Sequence, residues 1–191
     1  TDNIITVING EVAVAANGKC SLIEAINNAN DTTDGIANAP GHSDCAAGNP
    51  AGADVIQLPA GGTFSVNTSV DNNYGYSALP LITSTITVEG NNSTITRTGS
   101  EEMRFFTAVS YDQKVADLTL NKLTLKNGKN LGYDGGAVYA SDSTLTISYC
   151  TLTGNETGLV GGGIFATFCD LTITNSNING NKSFGGGGVY A

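Results

Sequence analysis

From residue 117 onward, apolar residues alternate with threonine, serine and asparagine at the two-residue spacing of β-strands. The alternation runs through three similar segments, which begin at Asp117, Thr144 and Asp170. We expect the apolar positions to face inward and like residues to stack from one segment to the next. These positions are Leu118, Leu120, Leu123 and Leu125, then Leu145, Ile147, Cys150 and Leu152, then Leu171, Ile173, Ser176 and Ile178.

A glycine-rich motif follows each segment and sets the length of the repeat. The motifs begin at Gly135, Gly161 and Gly186, so the repeat is 25 or 26 residues long, which is typical of a solenoid. Turns rich in Gly and Asn precede them, where left-handed backbone angles are expected. The pattern predicts an all-β fold, a right-handed single-stranded parallel β-helix (pectate-lyase-like) with three short strands per coil. In the third strand, Val138, Ile164 and Val189 are predicted to face inward and Tyr139, Phe165 and Tyr190 outward.

The rest of the chain is predicted to belong to the same single domain, residues 1–191. Residues 53–116 contain less regular coils, residues 117–191 the regular ones, and residues 1–52 an N-terminal cap. In the cap, Ser21 and Glu24 form a capping-box motif at the start of an amphipathic helix predicted over 21–29. Such a helix can cover the apolar end of a solenoid, which would otherwise be exposed.

Composition restricts the classes of partner. The net charge is −9 and there are eight Lys and Arg residues, which argues against binding to nucleic acid or to an anionic membrane. No apolar run is long enough to insert into a membrane. The chain begins at Thr1 and carries no signal peptide, as expected if one has been removed on export.

Four cysteines, without a Cys-x-x-Cys motif or a nearby histidine, favour disulfides in an oxidising compartment over a metal site. Of the three connectivities, we favour Cys20–Cys45, which would close a long loop, with Cys150–Cys169 as the remainder. Cys150 could instead be a buried thiol that takes the place of Leu123 in its inward column.

The string from Cys20 to Asn30, Cys-Ser-Leu-Ile-Glu-Ala-Ile-Asn-Asn-Ala-Asn, resembles the Cys-Ser-Leu-Arg-Glu-Ala signature of a family of secreted bacterial and archaeal β-helix proteins. Ile23 departs from the usual Arg. The segments that begin at Asp54 and Ile86 are also similar to that family, and the Gly-Gly repeats resemble those of polymorphic outer-membrane and adhesin-like proteins. The resemblance implies a β-helix that is secreted or displayed at the cell surface, and it implies no established reaction.

Catalytic chemistry is weakly indicated, so the chain is predicted not to be an enzyme. A glycosidase needs two facing carboxylates, and a lyase needs a base with a charge-neutralising partner. The two arginines are Arg97 and Arg104, and His42 lies in an ordinary polar loop. Most acids are expected at turns: Asp112, Asp117, Asp134, Asp142, Glu156 and Asp170. No cofactor is predicted, and structural calcium stays open at four aspartates, Asp31, Asp34, Asp44 and Asp71.

Two outward ladders are candidate binding surfaces. The aromatic ladder of Tyr139, Phe165 and Tyr190 could bind sugar rings or another molecule, or could simply stabilise the strands. The polar ladder has a weak resemblance to ice-binding faces and is read as the pairs Thr94/Thr96, Thr119/Asn121, Thr146/Ser148 and Thr172/Thr174. Asn155 and Asn181 stand in Asn-x-Ser/Thr motifs and are candidates for glycosylation.

The functional prediction is a non-enzymatic extracellular structural or adhesive protein. The sequence stops at Val189-Tyr190-Ala191 without a polar cap, which suggests head-to-tail self-assembly into filaments through the solenoid ends. Its partners would then be copies of itself or cell-surface glycans. Two alternatives stay open: a carbohydrate-binding or carbohydrate-active β-helix protein, and a fragment of a larger surface adhesin.

Overall fold

The computed structural model describes residues 3–30, 44–49, 52–112 and 115–191. The chain is mostly β-structure, with 45% of residues in strands and 5% in helix, and its parallel sheets stack into a β-solenoid of about four turns. The predicted all-β solenoid fold is therefore confirmed, as is the short helix near the N-terminus.

One helix and fifteen strands make up the described regular structure. The helix, α1, spans Leu22–Asn30. The strands are β1 (Asn3–Thr6), β2 (Asp54–Gln57), β3 (Thr63–Val66), β4 (Thr85–Arg97), β5 (Phe106–Val109), β6 (Asp117–Lys126), β7 (Lys129–Asn130), β8 (Val138–Ser141), β9 (Thr144–Ser148), β10 (Thr151–Thr153), β11 (Glu156–Thr157), β12 (Ile164–Thr167), β13 (Asp170–Thr174), β14 (Asn177–Asn179) and β15 (Val189–Tyr190).

The largest sheet carries the apolar columns that the alternation predicts. Its strands pair in parallel in the order β1-β2-β4-β6-β10-β14, and β9 and β13 continue the first half of β6. Leu118, Leu145 and Leu171 lie in register, one above the other. Leu118 and Leu145 are at most 1% exposed. Each coil thus buries its apolar residues against those of the next coil.

A second sheet is formed by the strands that follow the glycine motifs. It contains β5, β8, β12 and β15, paired in parallel. Val138, Ile164 and Val189 form its inward column, and Tyr139, Phe165 and Tyr190 lie in register on the outside. The predicted orientation of this strand is confirmed.

The coil turns at corners whose residues adopt left-handed backbone angles. The first corner falls at Lys122, Tyr149 and Asn175, with φ of 49°, 52° and 49°. The second corner is formed by Asn127, Gly154 and Gly180, and the third by Gly135, Gly161 and Gly186. The fourth corner is formed by Asp142 and Phe168. Glycine and asparagine adopt this conformation at the lowest cost, which is why they recur at these positions.

The N-terminal cap forms as the motif predicts. Ser21 N–H donates to Glu24 Oε2 (2.9 Å) and Glu24 N–H donates to Ser21 Oγ (3.3 Å), which completes the capping box. Leu22, Ala25 and Ile26 are fully buried against the end of the core. A disulfide joins Cys20 to Cys45, as expected. Among the residues that the structure describes, no helix is long and apolar enough to cross a membrane.

The second predicted disulfide does not form, because Cys150 and Cys169 are both free thiols. Cys150 points into the core, is 2% exposed and occupies the column of Leu123, as the alternative interpretation expected. Cys169 lies instead over Ser143, whose hydroxyl donates to its sulfur at 3.7 Å. The five residues of β9 and the corner residue Tyr149 separate Ser143 from Cys150, and β9 alone spans about 16 Å, which is far beyond the reach of a disulfide.

Counting thiols checks this arrangement. Iodoacetamide should label two cysteines of the unfolded, unreduced chain and all four after reduction, because the pair Cys20 and Cys45 is bonded. Intact mass spectrometry measures both numbers, and peptide mapping should find the labels on Cys150 and Cys169. A chain that takes up no label before reduction would contradict the structure.

Candidate ligand-binding surfaces

The aromatic ladder forms and is longer than predicted. Tyr139 and Phe165 stack with ring centroids 5.1 Å apart, and Phe165 and Tyr190 stack at 5.7 Å. Tyr74, from an earlier coil, adds a fourth ring at 6.2 Å from Tyr139. Each inner ring is covered on both faces by its neighbours and turns its edge to solvent. A sugar ring needs an open aromatic face, so the inner rings act mainly as a stack that stabilises the coils.

Arg104 lies behind this ladder and was not singled out by sequence reasoning. Its side chain is fully buried, and Cζ is 5.0 Å from the centroid of the Tyr139 ring. Desolvation lowers the pKa of Arg104 to about 10, an effect partly opposed by Tyr139 and Asp134. Its donors satisfy one hydroxyl and three backbone carbonyls at 2.8 to 3.2 Å: Thr107 Oγ1 and the oxygens of Tyr74, Asp134 and Gly135. The guanidinium therefore ties an early loop to the glycine motif of a later coil.

The polar array on the largest sheet has a register different from the predicted one. Thr94 and Thr96 align with Thr124 and Lys126, and not with Thr119 and Asn121. The threonines that align with Thr119 are instead Thr87, Thr146 and Thr172. The error has a local cause: the register shifts between Glu89 and Ser93 within β4, and a threonine pair stands on either side of that shift.

A groove of about 660 Å³ lies at the first corner of the coils. Its lining includes Asn91, Asn92, Lys122, Tyr149, Asn175 and Asn177. Since Lys122 aligns with Tyr149 and Tyr149 with Asn175, these side chains come from successive coils and the groove runs along the solenoid axis. None of the described residues that line it is acidic.

Tyr149 is the most unusual residue of this corner groove. It is 60% exposed and has a φ of 52°, a conformation that is rare for a bulky side chain. Strain of this kind costs about 1 to 3 kcal/mol and is concentrated at functional sites. The sequence pattern did not identify Tyr149 as a site residue, because Tyr149 lies outside the aromatic ladder. The one indication was its place between Ser148 and Cys150, where the strand alternation is interrupted.

A second groove, of about 390 Å³, lies at the fourth corner. Phe168 lines it with 86% of its surface exposed and a φ of 47°. Asp117, Asp142 and Asp170 also line it. Asp142 lies at a turn as predicted, whereas Asp117 and Asp170 lie in strands, in one outward column with Thr144 between them.

The remaining charged candidates have structural partners. Glu156 binds Lys182 at 2.8 Å and Lys129 at 3.7 Å, and the hydrogen bond from Lys182 lowers the pKa of Glu156. Arg97 donates to the backbone oxygens of Asn127, Gly99 and Glu101. Among the other acids predicted at turns, Asp112 lies in a turn with a φ of 47° and Asp134 accepts from the backbone N–H of Val160 at 3.1 Å, whereas Glu156 lies in β11.

The described residues provide no calcium site at the aspartates for which calcium was left open. Asp44 accepts hydrogen bonds from the backbone N–H groups of Asn17, Gly18 and Lys19, and Asp71 accepts from Asn73. Within the described ranges, no group of three or more His, Cys, Asp or Glu side chains could hold a metal ion. Asp31, Asp34 and His42 lie outside the described residues.

One of the two predicted glycosylation positions is corrected. Asn155 is fully buried, and its amide donates to Leu125 O (3.2 Å) and Asn181 Oδ1 (2.9 Å). A glycan on Asn155 is incompatible with this packing, because the side-chain amide is buried and already hydrogen-bonds backbone groups of the preceding coil. Asn181 is partly exposed, and its amide donates to Leu152 O at 2.9 Å.

No protein-family model, curated protein or solved structure matches this chain. The resemblance to secreted β-helix proteins and the likeness of the Gly-Gly repeats therefore stay predictions.

Replacing Arg104 tests its structural role. Arg104→Met keeps the apolar contact with Tyr139 but removes the donors to one buried and two partly buried carbonyls, so the free energy of unfolding should fall by about 3 kcal/mol. Arg97→Met is the matched control, because Arg97 also binds carbonyls but is more exposed, and it should cost less than about 1 kcal/mol. Urea denaturation measures the free energy of unfolding of both variants. An equal loss in the two would show that Arg104 contributes no more to stability than Arg97 does.

Proposed function

We propose that this chain is a non-enzymatic extracellular β-solenoid of the structural or adhesive type, and that it adheres by binding a glycan in the corner groove. The Cys20–Cys45 disulfide supports a non-reducing setting, which fits a secreted or surface-displayed protein. The resemblance of the segment around Cys20 to secreted β-helix proteins points the same way.

The observation that carries the proposal is the exposed ring of Tyr149 among amide side chains in a groove of about 660 Å³. Sugars are bound by exposed aromatic rings, which pack against their apolar faces, and by amides, which hydrogen-bond their hydroxyls. The amides of Asn92, Asn175 and Asn177 supply the second kind of contact. The groove combines both kinds of contact over several coils.

Binding fits this groove better than cleavage of a glycan. A glycosidase needs a carboxylic acid and a second carboxylate on either side of the scissile bond. The described lining of the corner groove contains neither. The alternative of a carbohydrate-active enzyme would have to use the aspartates of the second groove, Asp117, Asp142 and Asp170.

Association through the solenoid ends is a second candidate, favoured by the uppermost coil. Ile173 is 36% exposed there, although the residues below it in the same column are fully buried. Leu171, Ile178 and Val189 are also only partly covered. A further coil, from a second copy or from the same chain, would bury these residues and pair the backbone of β13 and β14. Since α1 covers the core at the other end, a filament would in addition have to use the edge of β1, where Ile4 is 59% exposed.

Glycan binding is tested with Tyr149→Asn. The native chain should bind oligosaccharides on an array of neutral and acidic glycans, and the variant should lose at least about tenfold in affinity by calorimetry. Asparagine adopts left-handed angles at low cost, so the variant should be as stable as the native chain or up to about 1 kcal/mol more stable.

Phe168→Asn is the matched control for this experiment. Phe168 is likewise an exposed aromatic residue at a left-handed corner, but it does not line the corner groove. The control should relieve strain and leave glycan binding unchanged. Absence of binding to every glycan, or equal loss in both variants, would contradict the proposal.

End-to-end association is tested with Val189→Asp. Light scattering and negative-stain microscopy of the native chain should show paired rods or fibres, and a charge at Val189 should return them to single rods. Val115→Asp is the control, because Val115 is 59% exposed and precedes β6, which lies two coils before β13 in the stack. Single rods of the native chain at all concentrations would rule out this second candidate.

A further inference from the structure

The corner groove has a charge opposite to that of the whole chain. The net charge is −9, yet the groove contains Lys122 and no described acidic residue. Glu89 lies in the neighbouring column, where both of its carboxylate oxygens accept from Asn121 Nδ2 at 2.8 and 2.9 Å. Glu89 keeps its negative charge beside the groove, but its carboxylate is directed to the Asn121 amide and forms no described ion pair with Lys122.

Lys122 differs from most of the other lysines in having no described ion pair. Lys19 binds Glu11, and Lys129 and Lys182 both bind Glu156. Lys122 is exposed and has a φ of 49°, a conformation that disfavours long side chains compared with Asn or Gly. A cation is thus held at a position where asparagine would cost less, and its charge is open to a ligand.

The direction of the groove sets the shape of that ligand. Lys122, Tyr149 and Asn175 lie on successive coils, and parallel strands are spaced about 4.8 Å apart. This step is similar to the advance per sugar along an extended glycan chain. A linear glycan along the axis would therefore meet a new corner residue at nearly every sugar.

We infer that the corner groove selects a linear anionic glycan that lies along the solenoid axis, with a carboxylate or sulfate at Lys122 Nζ and a sugar ring against Tyr149. This inference rests on the proposed function and adds the class of glycan. The protonated amine supplies the charge contact, while the amides of Asn175 and Asn177 bind hydroxyls on either side of the ring. The net charge of −9 repels an anionic ligand from the rest of the surface, so the local positive charge of Lys122 would confine such a ligand to this groove.

The test compares glycans that differ only in charge. Tetrasaccharides of galacturonate, glucuronate and mannuronate are titrated calorimetrically beside their methyl esters, and a sulfated tetrasaccharide with its desulfated form distinguishes sulfate from carboxylate. The anionic forms should bind about fivefold or more tightly than their neutral counterparts, and raising the salt concentration should remove the difference.

Lys122→Gln should abolish the preference for the anionic forms, so that each anionic tetrasaccharide and its neutral counterpart bind the variant with equal affinity. Lys126→Gln is the matched control, because Lys126 is also an exposed lysine of β6 without a described ion pair but does not line the groove. Equal binding of charged and neutral forms would overturn this inference and leave glycan binding intact. Absence of binding by all forms would overturn the proposed function itself.

Discussion

The in-register stacking of coils is the constraint on which the rest of this structure depends. Leu118, Leu145 and Leu171 lie directly above one another, and the backbones of neighbouring coils pair along the same strands. A shift of one residue would turn every apolar side chain of a strand to solvent. Burial and backbone pairing therefore select the same register, and each coil defines the positions of the next.

This register also determines where the chain has to turn. The corners recur at equivalent positions, and most are occupied by Gly, Asn or Asp. Lys122, Tyr149 and Phe168 are the exceptions, since they hold longer side chains in left-handed conformations. These three residues line the two grooves at the first and fourth corners. The grooves therefore lie where the local sequence departs from what the backbone prefers.

The polar residues inside the solenoid have a different role. Asn155 accepts from the backbone N–H of Gly128 at 2.8 Å, and its own N–H donates to Asn181 Oδ1 at 3.0 Å. Arg104 serves the carbonyls of two coils in the same way. Buried polar groups of this kind are retained because an unpaired carbonyl or amide in the core is costly. The interior thus supplies rigidity, and the corners are left as the surfaces available for recognition.

The sequence alone determined the solenoid, its inward columns, the capping helix and the Cys20–Cys45 pair, because strand alternation, repeat length and capping motifs are local patterns. Tertiary structure decided the rest. The threonine register depended on a shift within β4, and the free thiols of Cys150 and Cys169 on which residues lie above one another in adjacent coils. Tyr149 and Lys122 became a candidate site only when successive coils brought them into one groove, since residues about one repeat apart meet through stacking, which no local pattern records.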